Sequence, residues 1–177
     1  MPQTAPFKMF IFSVCIDLVF CLCFMTHTLG AQAMTQSANE TSVREWNAEW
    51  IALPDVEDDV NLWFLTRREF EVNSSVPHAS IAVTADTTYQ LFINGRFIGD
   101  GPVRAFPEHY RYDRFDIADF LQPGKNVVTV KVHHWGRDTA KNIAVEPGLL
   151  AQLEWTDDAG VHVLGTDRTW HVAVDPA

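Results

Sequence analysis

The sequence predicts an all-β fold, an antiparallel β-sandwich of jelly-roll type, and three features lead there. Apolar residues recur with a period of two in successive short runs. Turn-forming pairs punctuate those runs at close spacing. Nowhere does an amphipathic pattern extend over three helical turns. In His78 to Asp86, Ala79, Ile81, Val83 and Ala85 alternate with Ser80, Ala82, Thr84 and Asp86, and further on Val128, Val130 and Val132 alternate with Val127, Thr129 and Lys131. Successive side chains of a strand leave on opposite faces, so each such run presents one apolar face, which two packed sheets bury against each other. The chain has 177 residues, enough for one domain with a substantial core.

The N-terminal segment reads as targeting. Lys8 precedes an apolar run from Met9 to Met25, and Ala31-Gln32-Ala33 carries the small-x-small pattern of a signal-peptidase site, which gives a signal peptide over residues 1–33. A transmembrane anchor is the competing reading. The run is short for a span and holds Asp17 near its middle, where a carboxylate costs roughly 2.5 to 3.5 kcal/mol on insertion scales, so cleavage and a secreted or periplasmic bacterial location are expected. Cys15, Cys21 and Cys23 all fall inside this segment. The mature chain then has no disulfide and no thiol nucleophile. Residues 34–45, small and polar, read as a linker, and the sandwich is expected over 46–177.

Structure is expected to begin at Trp46. An acidic loop follows Pro54, with Asp55, Glu57, Asp58 and Asp59; clustered carboxylates suit calcium, but without a glycine-spaced ligand pattern a solvated turn is the preferred reading. Strands are expected at Leu62 to Val72 and His78 to Asp86. Next comes a hairpin turning at Asn94-Gly95, a pair that tolerates positive φ at both positions of a type I′ turn. Gly99 to Phe115 is a loop rich in Gly, Pro, Arg, His and Tyr. Ile117 to Leu121 forms one short turn with Asp116 as cap. Pro123-Gly124 fits a type II turn and opens a strand over Asn126 to His133. Gly148 to Trp155, Val161 to Gly165 and Thr169 to Val174 complete the set.

The chemistry that composition permits is limited. A formal net charge of −10 disfavours nucleic acid and anionic membranes as partners. No G-x-S-x-G elbow, phosphate loop or dinucleotide fingerprint occurs, and no carboxylate pair stands at alternating positions of a convincing core strand as an all-β hydrolase requires. No residue is therefore a candidate for catalysis, and none for metal binding: His133 and His134, adjacent on a strand, face opposite ways and do not easily share one ion. Two groups invite a ligand. His134, Trp135 and Arg137 lie where a core strand runs out, and Arg104, His109 and Tyr112 lie in the long loop. Indole and phenol faces stack on the apolar face of a sugar ring while Arg and His bond its hydroxyls. The same residues also fit a capped strand end and ordinary packing. If the strand after Pro123-Gly124 returns toward the loop, the six converge on one rim.

The wording of the sequence adds a family. Y-x-L-F-I-N-G-R-F-I-G-D-G-P from Tyr89, Y-D-R-F-D-I from Tyr112, L-x-P-G-K-N-V-V-T-V from Leu121, P-G-L-L-A-Q-L-E from Pro147 and G-T-D-R-T-W-H-V from Gly165 together resemble the N-terminal β-sandwich domain of bacterial α-L-rhamnosidases of glycoside hydrolase family 78. They are similar, more distantly, to the sugar-binding sandwich of β-galactosidase-like enzymes. The resemblance covers Trp46 to Ala177. It implies a galactose-binding-like jelly roll serving as carbohydrate-binding or scaffold module. The acid and base carboxylates of such enzymes lie on a separate (α/α)₆ barrel, so none is carried over to this chain. Its expected partners are a rhamnose-containing glycan or its own catalytic domain. Some members have a calcium-dependent rhamnose-binding module, but its ligands are not matched here and no cofactor is assigned.

Overall fold

The computed structural model describes residues 45–56, 59–140 and 142–175. The expected signal peptide and all of the expected linker except Glu45 lie outside them, as do Glu57 and Asp58 of the acidic loop. Nine strands form two antiparallel sheets: β1 (Leu62–Val72), β2 (His78–Asp86), β3 (Thr88–Ile93), β4 (Arg96–Gly101), β5 (Asp113–Asp116), β6 (Gly124–His134), β7 (Gly148–Asp157), β8 (Gly160–Gly165) and β9 (His171–Val174). One sheet has the order β4-β3-β6-β1-β9 and the other β5-β2-β7-β8. The chain changes sheet at most of its connections, which is jelly-roll connectivity. No α-helix occurs among the described residues, and only two 3-10 turns, Pro107–His109 and Ala118–Phe120, interrupt the β structure.

The core follows from the alternation. Along β6 the buried side holds Asn126, Val128, Val130, Val132 and His134, and the other side is partly exposed. Phe64 and Thr66 of β1 and Tyr89, Leu91 and Ile93 of β3 lie in the same layer, facing Ile81, Val83, Leu149, Ala151 and Leu153 from the second sheet. Each fully buried Leu, Ile or Val contributes roughly 1.5 to 3 kcal/mol.

Both organising turns are present. Asn94 (φ 51°) and Gly95 (φ 77°) take the positive φ values that a type I′ turn demands, and Gly124 has φ 90°. They are bolted to each other. Asn94 Nδ2 donates to Asn126 Oδ1 at 2.8 Å, Val127 N to Asn94 Oδ1 at 2.9 Å, and Asn126 Nδ2 to Gln122 O at 2.7 Å. Asn126 is thereby buried without an unmet bond. The short turn after β5 is also as expected in kind: Asp116 Oδ1 accepts from Ala118 N at 3.1 Å, although the capping position itself is Ile117.

Two expectations need correcting. The loop expected over Gly99 to Phe115 is shorter at both ends, because Gly99 to Gly101 pair with β3 as part of β4 and Asp113 to Phe115 pair with β2 as part of β5. Period-two patterning predicts one buried face per strand, yet Ala82 and Thr84 of β2 and Leu150 and Gln152 of β7, on the outer parity, are buried as well. An N-terminal arm over residues 45–56 covers them. Ile51 bridges Leu149 in both directions, at 2.9 and 2.8 Å, Glu49 N donates to Thr166 O at 2.7 Å, and Asn47 N donates to Gln152 Oε1 at 2.7 Å. From the other side the loop before β5 closes down, Thr84 Oγ1 donating to Arg111 O at 2.7 Å. The arm requires close approach: a Cβ on Gly165 would strike the carbonyl of Asn47, and one on Gly148 would lie 2.7 Å from the Trp50 ring.

Candidate functional site

At one end of the sandwich β2 passes into β3, β6 ends, and the loop between β4 and β5 folds across. A cleft of about 350 Å³ opens there, within the usual size for a small-molecule site. Asp86 and Thr87 form its floor, Pro102 to Ala105 and Tyr110 one wall, and Trp135, Thr139 and Asn142 the other. The loop and the strand end thus meet, as the return of β6 requires.

The floor is held by a network. His134, with no exposed surface, donates from Nδ1 to Asp86 Oδ1 at 2.8 Å, and Thr87 Oγ1 donates to the same oxygen at 3.3 Å. Tyr110 donates its hydroxyl to Asp86 Oδ2 at 2.9 Å. A carboxylate offers about four lone-pair positions, so three donors leave one on Oδ2. Thr87 Oγ1 in turn accepts from Trp135 N at 3.1 Å and from Asn142 Nδ2 at 3.3 Å, fixing the opposite wall to the same junction. His134 Nε2 has no hydrogen-bond partner among the described residues and faces Asp59 Oδ2 at 3.6 Å.

Electrostatics follow from these contacts. Burial alone lowers the His134 pKa, but the hydrogen bond and charge of Asp86 and the charge of Asp59 outweigh it and raise the net value. Tyr110 is pushed up, first by burial and then by Asp86, which keeps the phenol a donor. Calcium takes six to eight oxygens; the cleft offers one carboxylate, largely engaged, and no group of three His, Cys, Asp or Glu gathers among the described residues.

Of the six residues singled out in the sequence, Arg104 and Trp135 line the cleft. Arg104 is exposed and reaches Ala140 O at 3.4 Å, and the Trp135 side is 48% exposed. His134 lies beneath the floor and touches Asp86, so it acts on the cleft only through that carboxylate. The other three do not converge. His109 sits exposed in the 3-10 turn, Tyr112 turns away to meet Trp46 edge-on at 5.5 Å, and Arg137 is exposed beyond the walls. Sequence reading missed Asp86, Thr87 and Asn142. Asp86 had a signal, an ionisable residue ending a strand otherwise built of small and apolar residues.

A family model described as the α-L-rhamnosidase N-terminal domain matches residues 74–177. The chain belongs to that family. Over 146 residues it is 29% identical to an α-L-rhamnosidase of Formosa agariphila, covering 71% of this chain and 16% of that protein. Among solved structures it is similar to a family 78 rhamnosidase of Bacillus sp. GL1, with 36% identity and a TM-score of 0.67 over 74% of this chain and 14% of the other. It is also similar to the α-L-rhamnosidase of Aspergillus terreus, with 26% identity and a TM-score of 0.64 over 73% of this chain and 17% of the other. This rhamnosidase N-terminal domain therefore spans about a sixth of the length of the relatives it matches.

Proposed function

We propose that the rhamnosidase N-terminal domain is a non-catalytic carbohydrate-binding module whose cleft takes one sugar unit, L-rhamnose by the activity named for its relatives. The observation that carries this is the arrangement of the floor. Asp86 is buried, aimed by His134 and Tyr110, and left with one acceptor position toward a cleft walled by an indole, a guanidinium and an amide. A sugar hydroxyl fills such an acceptor, and the indole covers the apolar ring face. Hydrolysis by the two-carboxylate route needs a second acid group across the bond, and Asp86 is the only carboxylate among the lining residues. The leader pattern of Lys8, Met9 to Met25 and Ala31-Gln32-Ala33 supports action outside the cytoplasm.

Affinity for a monosaccharide should be weak, near the millimolar end, because little apolar area is covered and every hydroxyl leaves water. The test is titration of L-rhamnose followed by tryptophan fluorescence and amide shifts. Saturation that is lost in Trp135→Ala and Arg104→Ala is expected, with no turnover of an aryl α-L-rhamnoside by this chain alone. No response at tens of millimolar would overturn the reading.

A second reading, a packing module for a catalytic domain, is favoured by the apolar side chains Val103, Phe106 and Ile143, exposed by 66%, 61% and 47%. Concentration-dependent self-association without sugar binding would select it.

A further inference from the structure

A second depression, of about 270 Å³, shares Thr88 and Pro102 with the cleft and opens on the outer face of the five-stranded sheet. Trp63, Gln90, Asp100, Lys131 and His133 surround it. They stand on neighbouring strands in register: Trp63 is opposite His133, and Gln90 is opposite both Lys131 and Asp100. The aromatic part is fixed. Trp63 stacks on His133 with centroids 4.0 Å apart, His133 Nε2 is held 2.8 Å from Asn61 Oδ1, and Lys131 Nζ lies 4.8 Å from the Trp63 ring. The charge of Lys131 is met by Asp175 at 2.5 Å. Gln90 and Asp100 are exposed, and their side chains make no hydrogen bond among the described residues.

A held indole, a neutralised cation, and an amide and a carboxylate with open bonding capacity suit a hydroxyl-rich ligand without net charge. Neither part selects an anion or a long apolar chain. Thr88 and Pro102 line both depressions, so the two adjoin at the β2–β3 junction.

We infer that the two depressions act as one bent groove that takes an oligosaccharide, one unit on Asp86 beside Trp135 and the adjoining unit against Trp63, Gln90 and Asp100. The inference rests on the sugar-binding reading of the first cleft and adds the length of its ligand. A second unit gains contacts without a second loss of translational freedom.

The test compares L-rhamnose with rhamnosyl-terminated di- and trisaccharides on the full chain, by calorimetry or by competition against the fluorescence change. The disaccharide should bind about tenfold more tightly than L-rhamnose and should alone shift the amides of Tyr89, Gln90 and Lys131. Trp63→Ala should abolish that gain while L-rhamnose affinity holds. Since Trp63 also packs on the neighbouring strand β6, the exposed pair Gln90→Ala and Asp100→Ala serves as a second variant with the same expected outcome. L-rhamnose binding with no gain from the longer sugars, or a gain that survives both variants, overturns the groove and leaves the first cleft standing. Absence of binding by every sugar overturns the first-cleft reading and the groove with it.

Discussion

Replacing His134 by Leu tests the network under the cleft directly. The imidazole is wholly buried, Asp86 is 6% exposed, and 2.8 Å separates Nδ1 from Oδ1. Removing one partner of such a buried pair costs about 3 to 5 kcal/mol. A leucine in the same space returns about 1 to 2 kcal/mol of apolar burial. The net loss is about 1 to 4 kcal/mol, or roughly 4 to 16 °C in Tm for a domain of this size. A pH signature separates this from a packing defect. The folded-state pKa of His134 is raised above its ordinary value, so its contribution is fully present below about pH 6.5 and is lost as pH rises through the folded value. The stability gap between parent and variant should therefore be wider at about pH 5 than at about pH 8.5. Among the described residues Asp59 and Asp86 are the charges facing the ring, and neighbouring His133 shifts the opposite way, lowered by burial and then by the charge of His134. Both proteins are thus compared in a His133→Asn background, by urea unfolding at each pH. A loss below about 0.5 kcal/mol, the range of ordinary surface changes, or a gap independent of pH would refute the reasoning.

Two further substitutions test the frame around the site. Gly95→Val should cost about 1 to 2 kcal/mol in thermal or urea unfolding, all of it backbone conformation, since a Cβ there meets nothing within 4 Å and φ is 77°; a loss below about 0.5 kcal/mol would mean the turn tolerates side chains freely. Gly165→Ala should drive its new methyl into the Asn47 carbonyl and release the arm, seen as faster proteolysis and hydrogen exchange over residues 45–53, whereas unchanged protection would show that the arm is anchored elsewhere.

What the sequence disclosed divides by the range of the physics involved. β1 and β2 begin and end at the expected residues, and both turns carry the expected φ signs, because alternation and turn chemistry are local. β6 runs from Gly124 to His134 and β7 on to Asp157, each longer than its apolar pattern, since ladder hydrogen bonds continue where side chains have stopped alternating. Arm pairing between Ile51 and Leu149, nearly a hundred positions apart, leaves no local trace. The same limit governs the site. Residue type picked out Tyr112 and Arg104 equally, but the arm turned Tyr112 toward Trp46 and left Arg104 on the cleft wall.

His133 and His134 show how the register of one strand sets both halves of the groove. They are successive residues of β6, so His134 points inward beneath Asp86 and His133 outward onto Trp63. Shifting the strand by one residue would exchange them, placing His133 under the cleft and His134 on the sheet face. That register is fixed at the far end of β6, where Asn126 binds Asn94 and the Gln122 carbonyl, and it is carried along the pairing of β6 with β1 and β3. A change at Pro123-Gly124 that slipped the pairing would thus reach both subsites without touching either, whereas one that loosened only the turn would leave them intact.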